Sequence, residues 1–142
     1  VELGLRKGIT DLVLLHEHRG QPDGLIISHL PVGPTLYFGL QNVVLDTRQG
    51  KNIKHAKIYP HLIFHNFNTH LGERVKTVLQ HLFPVAKPDS KRIVTFANQN
   101  DIISFRHHTY EKETYKEVGL VELGPRFELK LYQISLGLLH QP

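Results

Sequence analysis

The sequence predicts an α/β domain built from two related halves, on three observations. A strand entered through Gly-Pro occurs twice, in "PVGPTLYFGLQNVVLD" (Pro31–Asp46) and in "ELGPRFELKLYQISLG" (Glu122–Gly137). Aligned on Gly33-Pro34 and Gly124-Pro125, the apolar positions coincide: Leu36 with Phe127, Phe38 with Leu129, Leu40 with Leu131, Val43 with Ile134 and Leu45 with Leu136. Between them, Leu71, Val75, Val78, Leu79 and Leu82 repeat at the spacing of one helical face. The remaining apolar residues fall into short β-branched or aliphatic runs separated by Gly, Pro, Asn and Asp.

In chain order, "VELGLRKG" (Val1–Gly8) reads as the end of a helix. Arg6 and Lys7 suit its negative pole, and Gly8 suits a left-handed stop. Ile9–Leu15 is a strand, the Pro22-Asp23-Gly24 triplet a turn, Leu25–Leu30 a second strand and the first Gly-Pro strand a third. From Asp46 to Tyr59 the pattern lapses into polar, aperiodic sequence carrying Arg48, Lys51, Lys54 and Lys57, the expected connector. "PHLIFHNF" is a strand, followed by the helix, with Asn68 or Thr69 as its cap and Pro84 beyond its end. "KPDSK" is a loop, Arg92–Ala97 a strand, "NQND" a turn, Ile102–Tyr110 a strand, Glu111–Glu117 a charged turn, and the second Gly-Pro strand closes the set.

Leu12–Leu15 thus corresponds to Ile93–Phe96, and Leu25–His29 to Ile102–Arg106. The second half has a strand and a helix ahead of its three strands, whereas few residues precede the first half's three. The first half is therefore expected to lack its leading strand and most of its helix, leaving an incomplete sheet edge near Ile9–Leu15. The expected boundaries are 1–45 for the end of the first half, 46–59 for the connector and 60–142 for the second half. On the second Gly-Pro strand, Phe127, Leu129 and Leu131 alternate with Arg126, Glu128 and Lys130. From Tyr132 onward the apolar residues take the even positions, which predicts a bulge or burial of both faces there.

With 142 residues, 40% hydrophobic and 21% charged, the chain suits one domain that buries roughly two thirds of its unfolded surface. Its longest aliphatic run, Leu12–Leu15, is far shorter than a helical membrane span. The absence of cysteine excludes disulfides, thiolate catalysis and sulfur-ligated zinc. A net charge of +4 and a pI near 9.4 suit a phosphate-bearing partner without identifying one.

Enzyme signatures are sparse. None of the four serines (Ser28, Ser90, Ser104, Ser135) lies in a Gly-x-Ser-x-Gly elbow, no Gly-rich phosphate loop occurs, and the acidic residues form no evident pair. In "HEHRG", His16 and His18 alternate and could both face one side of a strand, but a metal would need a third ligand from elsewhere. The commoner role is a pair of loop-edge histidines that hydrogen-bond or meet phosphate. No metal and no cofactor is expected.

The remaining signal is basic residues near strand ends: Arg19, Arg92, Arg106, His107, Arg126 and Lys130, with His108 beside them. Held on rigid strands they can neutralise phosphates, and arginine can stack on unpaired bases. Tyr110, Tyr115 and Phe105 are near enough for stacking, although Phe105 suits a core better. An ordinary solvated basic face would show the same pattern.

Four stretches carry a family resemblance: "TDLVLLHEHRGQPDGLIISHLPVGPTLYFGLQNVVL" (Thr10–Leu45), "PHLIFHNFNTHLGERV" (Pro60–Val75), "HLFPVAKPDSKRIVTFANQNDIISFRHHTY" (His81–Tyr110) and "GPRFELKLYQISLG" (Gly124–Gly137). Together they resemble the Brix domain of nucleolar ribosome-assembly proteins, most of all its member in the U3 small nucleolar ribonucleoprotein. The sequence departs from the family pattern after Leu45, where "DTRQ" stands, and through "GKNIKHAKIY". The resemblance implies two α/β halves similar to anticodon-binding domains. It also implies a non-enzymatic, RNA-binding role in the small-subunit processome, which matures 18S rRNA in the nucleolus. The partners implied are U3 small nucleolar RNA, pre-rRNA, M-phase phosphoprotein 10 and other U3 particle proteins.

Three functional classes stand: an RNA-binding assembly factor, a scaffold whose basic face meets acidic protein segments without touching RNA, and, last, a metal-dependent hydrolase on His16 and His18. The second Gly-Pro strand bears Arg126, Glu128 and Lys130 where the first bears Thr35, Tyr37 and Gly39, so the second half's polar face is the expected contact surface.

Overall fold

The computed structural model describes residues 8–45, 58–114 and 117–137, leaving the expected helix end at 1–7 and nearly all of the connector outside the described residues. The described chain forms two compact units, one from residues 8–41 with 129–137, the other from within 42–128.

In the first unit, β1 (Asp11–His18) pairs antiparallel with β2 (Gln21–His29), which pairs antiparallel with β3 (Thr35–Val44). The later residues of the last strand, β8 (Arg126–Ser135), lie beside β3. The hairpin turn is Arg19-Gly20, not the Pro-Asp-Gly triplet. Both turn residues have positive φ, 52° and 77°, the geometry that matches the twist of two-residue hairpins. Pro22-Asp23-Gly24 instead continues β2, with Pro22 past the end of the β2–β3 ladder, where a missing N–H costs little.

The core of this unit is Ile27, Leu36, Phe38 and Leu129, all fully buried, with Ile27 opposite Leu36 and Leu25 opposite Phe38. Removing side chains of this size from water stabilises by about 1.5–3 kcal/mol each. Two buried hydroxyls are satisfied in series: Ser28 Oγ donates to Thr35 Oγ1 (2.8 Å), which donates to Gly137 O (2.8 Å). β1 is an edge among the described strands, and Val13 and Leu15 on one face are 51% and 55% exposed.

In the second unit, β4 (His61–His65) runs parallel to β5 (Arg92–Gln99), with helix α1 (His70–His81) between them in sequence. β6 (Ile102–Thr114) returns antiparallel through the two-residue turn Asn100-Asp101, both at positive φ. The first residues of β8 neighbour β6. A further strand, β7 (Glu117–Glu122), pairs antiparallel with β6. The expected charged turn at Glu111–Glu117 is therefore mostly strand: β6 runs through Thr114, and a ladder partner supports a segment whose charges hide any apolar alternation.

Thr69 caps α1, its hydroxyl accepting from Gly72 N at 2.9 Å, with Glu73 in the first turn and His81 in the last. Val75, Val78 and Leu79 are buried as the periodicity requires, but Leu71 in the first turn faces water. One face of the sheet carries a ladder of rings: Phe64 on Phe96 (5.1 Å), Phe96 on Phe105 (5.4 Å) and Phe105 on Phe127 (4.5 Å). The Lys76 ammonium sits 5.5 Å from the Phe64 ring, and Phe83, just past the helix, packs on Phe96. These contacts put α1 on the aromatic face.

Both Gly-Pro starts share one backbone. Gly33 and Gly124 have φ of 93° and 68°, and both Gly-Pro bonds are cis. Glycine is required at the first for a second reason, since a Cβ on Gly33 would lie 2.5 Å from Gly137 O. Tyr132 keeps to the alternation of β8 and is 65% exposed, but the alternation lapses after it: Gln133 is exposed as well, and the adjacent Ile134 and Ser135 are both half-buried.

Candidate nucleic-acid interface

Strand register divides the basic residues of the second unit between the two faces of its sheet. Phe96 pairs with Phe105, and Val94 with His107, so His107 lies on the aromatic face, as does Arg92 two residues before Val94. Their neighbours Ile93, Thr95, His108 and Arg106 lie on the other, open face.

Arg92 and His107 form a structural knot. Arg92 Nε donates to His107 Nε2 at 3.1 Å, and another guanidinium N–H donates to Ile58 O. Because Nε2 accepts, the ring proton is on Nδ1, which donates to Gly124 O at 3.0 Å. His107 O also accepts from Leu123 N, so the residue grips the second Gly-Pro turn by side chain and main chain together. Burial holds the His107 pKa below its ordinary value, and the positive charges of Arg92 and His108 act in the same direction against the opposing Gly124 bond. Burial also lowers Arg92, which remains a cation. Only 5% exposed and with both ring nitrogens engaged, His107 positions the start of β8 and offers nothing to a phosphate.

The open face brings together Arg106, His108, Arg126, His61 and His65. One cross-strand row runs His61–Ile93–His108–Glu122, the next Ile63–Thr95–Arg106, and the third His65–Ala97–Ser104. Phe127 stacks on Phe105, so Arg126 and Glu128 point to this side, consistent with the ion pair between Arg126 and Glu122 at 3.3 Å. Arg106 donates from one terminal nitrogen to Phe105 O (2.8 Å) and Phe127 O (3.3 Å) and is half-buried. Glu128 accepts from Asn42 Nδ2. Ile63 and Leu120 add exposed apolar surface, 48% and 63%.

Arg19, at the β1–β2 turn, and Lys130, on β8, belong to the first unit, and both are exposed. His61 and His65 went unread in the sequence, although "HLIFH" sets them four residues apart, an even spacing that places both on one strand face. In "HEHRG" itself, His16 Nδ1 lies 2.5 Å from Asp23 Oδ1, and a register shift between His16 and Glu17 breaks the alternation that would set His18 beside it. Among the described residues, no three His, Asp or Glu are grouped to hold a metal ion.

Comparison with known proteins agrees with this architecture. The chain is 58% identical over 136 residues to the U3 small nucleolar ribonucleoprotein protein IMP4 of Homo sapiens, a match covering 94% of this chain and 46% of that protein. It is 56% identical over 138 residues to the imp4 protein of Schizosaccharomyces pombe, covering 96% and 48%. The chain thus spans about half the length of the curated relatives it matches. The crystal structure of a probable ribosomal biogenesis protein from Aeropyrum pernix K1 superposes with a TM-score of 0.59 at 12% identity, over 94% of this chain and 75% of that one, a likeness of fold alone. Residues 2–133 match the Brix domain profile, and the chain belongs to the Brix domain family.

Proposed function

We propose that this chain is an RNA-binding, non-enzymatic part of a ribosome-assembly factor that acts in the U3 small nucleolar ribonucleoprotein and the small-subunit processome. There it supports processing of pre-rRNA to 18S rRNA in the nucleolus. The observation that carries the reading is the open face of the second unit, where Arg106 and Arg126 stand among His61, His65 and His108 on rigid strands. Sequence identity above half to proteins named for the U3 particle supports the particle. U3 small nucleolar RNA and pre-rRNA are the proposed ligands of the face. M-phase phosphoprotein 10 and other U3 particle proteins are the proposed protein partners. Of the residues expected to touch RNA, Arg106 and Arg126 take phosphates directly in this reading, Arg19 and Lys130 add cations in the first unit, and Arg92 and His107 act by positioning β8. Two related halves, 1–45 and 60–142 around a connector at 46–59 and each similar to an anticodon-binding domain, are part of the proposal. The positive φ that Gly33 and Gly124 share at the two Gly-Pro starts supports it.

A second reading has its own observation. Ile63 and Leu120 put exposed apolar area on the same face, which suits a protein segment with acidic flanks. Arg126→Glu, with folding checked by circular dichroism, separates the two. Loss of affinity for single-stranded RNA supports the proposal. Unchanged RNA affinity, with an acidic peptide that RNA cannot displace, refutes it in favour of the scaffold.

A further inference from the structure

The first unit has an exposed surface of different chemistry on the face opposite Ile27, Leu36 and Phe38. Register sets Leu14 opposite Ile26 and Ile26 opposite Tyr37, and the Tyr37 ring lies 6.2 Å from Tyr132 at 45°. These residues make a ridge across four strands that ends in the well-exposed Tyr132. Beside it runs a second row, His16 opposite Gly24 and Gly24 opposite Gly39, with Gly39 next to the Lys130 main chain. The ridge is aromatic and aliphatic, the row beside it has bare backbone at Gly24 and Gly39 with the His16 side chain at its β1 end, and Lys130 stands two residues before Tyr132 on the same side of β8.

Gly39 has no internal reason to be glycine. Its φ is not left-handed, and an added Cβ would meet only Lys130 O, at an ordinary 3.9 Å. Glycine inside a strand weakens it, and the usual compensation is close approach by another backbone or a ligand. Gly24 differs, since a Cβ there would press on His16 Cβ at 3.2 Å, which crowding inside the protein accounts for.

We infer that Tyr37, Tyr132 and Gly39 form a stacking platform for an unpaired RNA base, with Lys130 taking the adjoining phosphate. An aromatic side chain on a sheet, open floor beside it and a cation at its edge is the combination that single-stranded nucleic acid requires: a π-face for the base and a charge for the backbone. The exposed cation favours RNA over an apolar peptide as the occupant. The inference rests on the RNA-binding reading and adds to it a base-dependent contact separate from the phosphate contacts of Arg106 and Arg126.

The test compares two probes by fluorescence anisotropy, a ten-residue uridine RNA and the same ribose-phosphate chain without bases. Tyr132→Ala is expected to weaken uridine binding by about 5- to 150-fold and leave the abasic chain unaffected. Tyr132→Phe keeps the ring and is expected to bind as the unmodified chain does. Gly39→Val, which fills the floor with a residue that strands favour, is expected to weaken uridine binding without lowering the melting temperature. Equal uridine affinity for all three variants overturns the platform, as does an equal loss on the abasic chain. If Arg126→Glu weakens binding while Tyr132→Ala does not, only the platform falls. If the unmodified chain binds neither probe, the platform and the RNA reading fall together.

Discussion

Replacing His107 with alanine tests whether this buried ring positions the second Gly-Pro turn. The substitution removes the donor to Gly124 O and the acceptor of Arg92 Nε together. Gly124 is buried, and leaving its carbonyl unpaired costs about 1–3 kcal/mol. Arg92 is only partly buried and regains water, so its lost bond counts for about 0.5–1.5 kcal/mol. With the small cavity left by the ring, the expected loss is about 2–5 kcal/mol. In a urea titration this lowers the midpoint by about 1 M or more. His107→Asn keeps an N–H near the position of Nδ1 and is expected to recover the larger share. The pH dependence carries an independent sign. The folded pKa of His107 lies below its unfolded value near 6.5, so at low pH the unfolded chain takes up a proton that the folded chain refuses. The contribution of His107 is therefore fully present above about pH 6.5 and is lost as pH falls through the folded pKa. That segment of the stability profile is expected to flatten in His107→Asn. A midpoint shift below about 0.2 M for His107→Ala, or a profile unchanged in the asparagine variant, would mean that His107 does not hold the Gly-Pro turn.

Three further outcomes follow from the same geometry. Gly33→Ala sets a Cβ 2.5 Å from Gly137 O at a φ of 93° and is expected to destabilise by about 2 kcal/mol or more in thermal melts, whereas Gly39→Ala costs nothing measurable. Thr35→Val breaks the relay from Ser28 to Gly137 O at a fully buried site, with an expected loss of about 1–3 kcal/mol by urea titration. Arg106→Gln combined with Arg126→Gln is expected to lower the salt slope of single-stranded RNA binding by about 1.4, the value for two phosphate contacts.

The parts legible in the sequence were those with a local physical cause. The helix was visible through Thr69 and the spacing of Val75, Val78 and Leu79, and both Gly-Pro strands through glycines that lie at positive φ. Leu71 misled because periodicity marks a face without saying where the sheet beneath it stops. β7 was hidden because charged residues at 111–117 look like a turn until a ladder partner is known. The hairpin at Arg19-Gly20 lost to the stronger punctuation of Pro22-Asp23-Gly24, since an arginine gives no sign that it will take a positive φ. The candidate site was legible as a list and not as a surface. Neighbouring Arg106 and His107 point to opposite faces, and only the register of β5 with β6 shows which faces water. The Tyr37–Tyr132 pair depends on strands distant in sequence and had no local signal.

The most direct test of RNA binding by this Brix chain is a salt titration of its affinity for short single-stranded and duplex RNAs, read by fluorescence anisotropy with folding monitored in parallel. Tight binding at low salt is expected, weakening steeply as salt rises, favouring the single strand and lost in Arg126→Glu. A folded chain that binds neither RNA at low salt, or binds both with no dependence on Arg126, would contradict it.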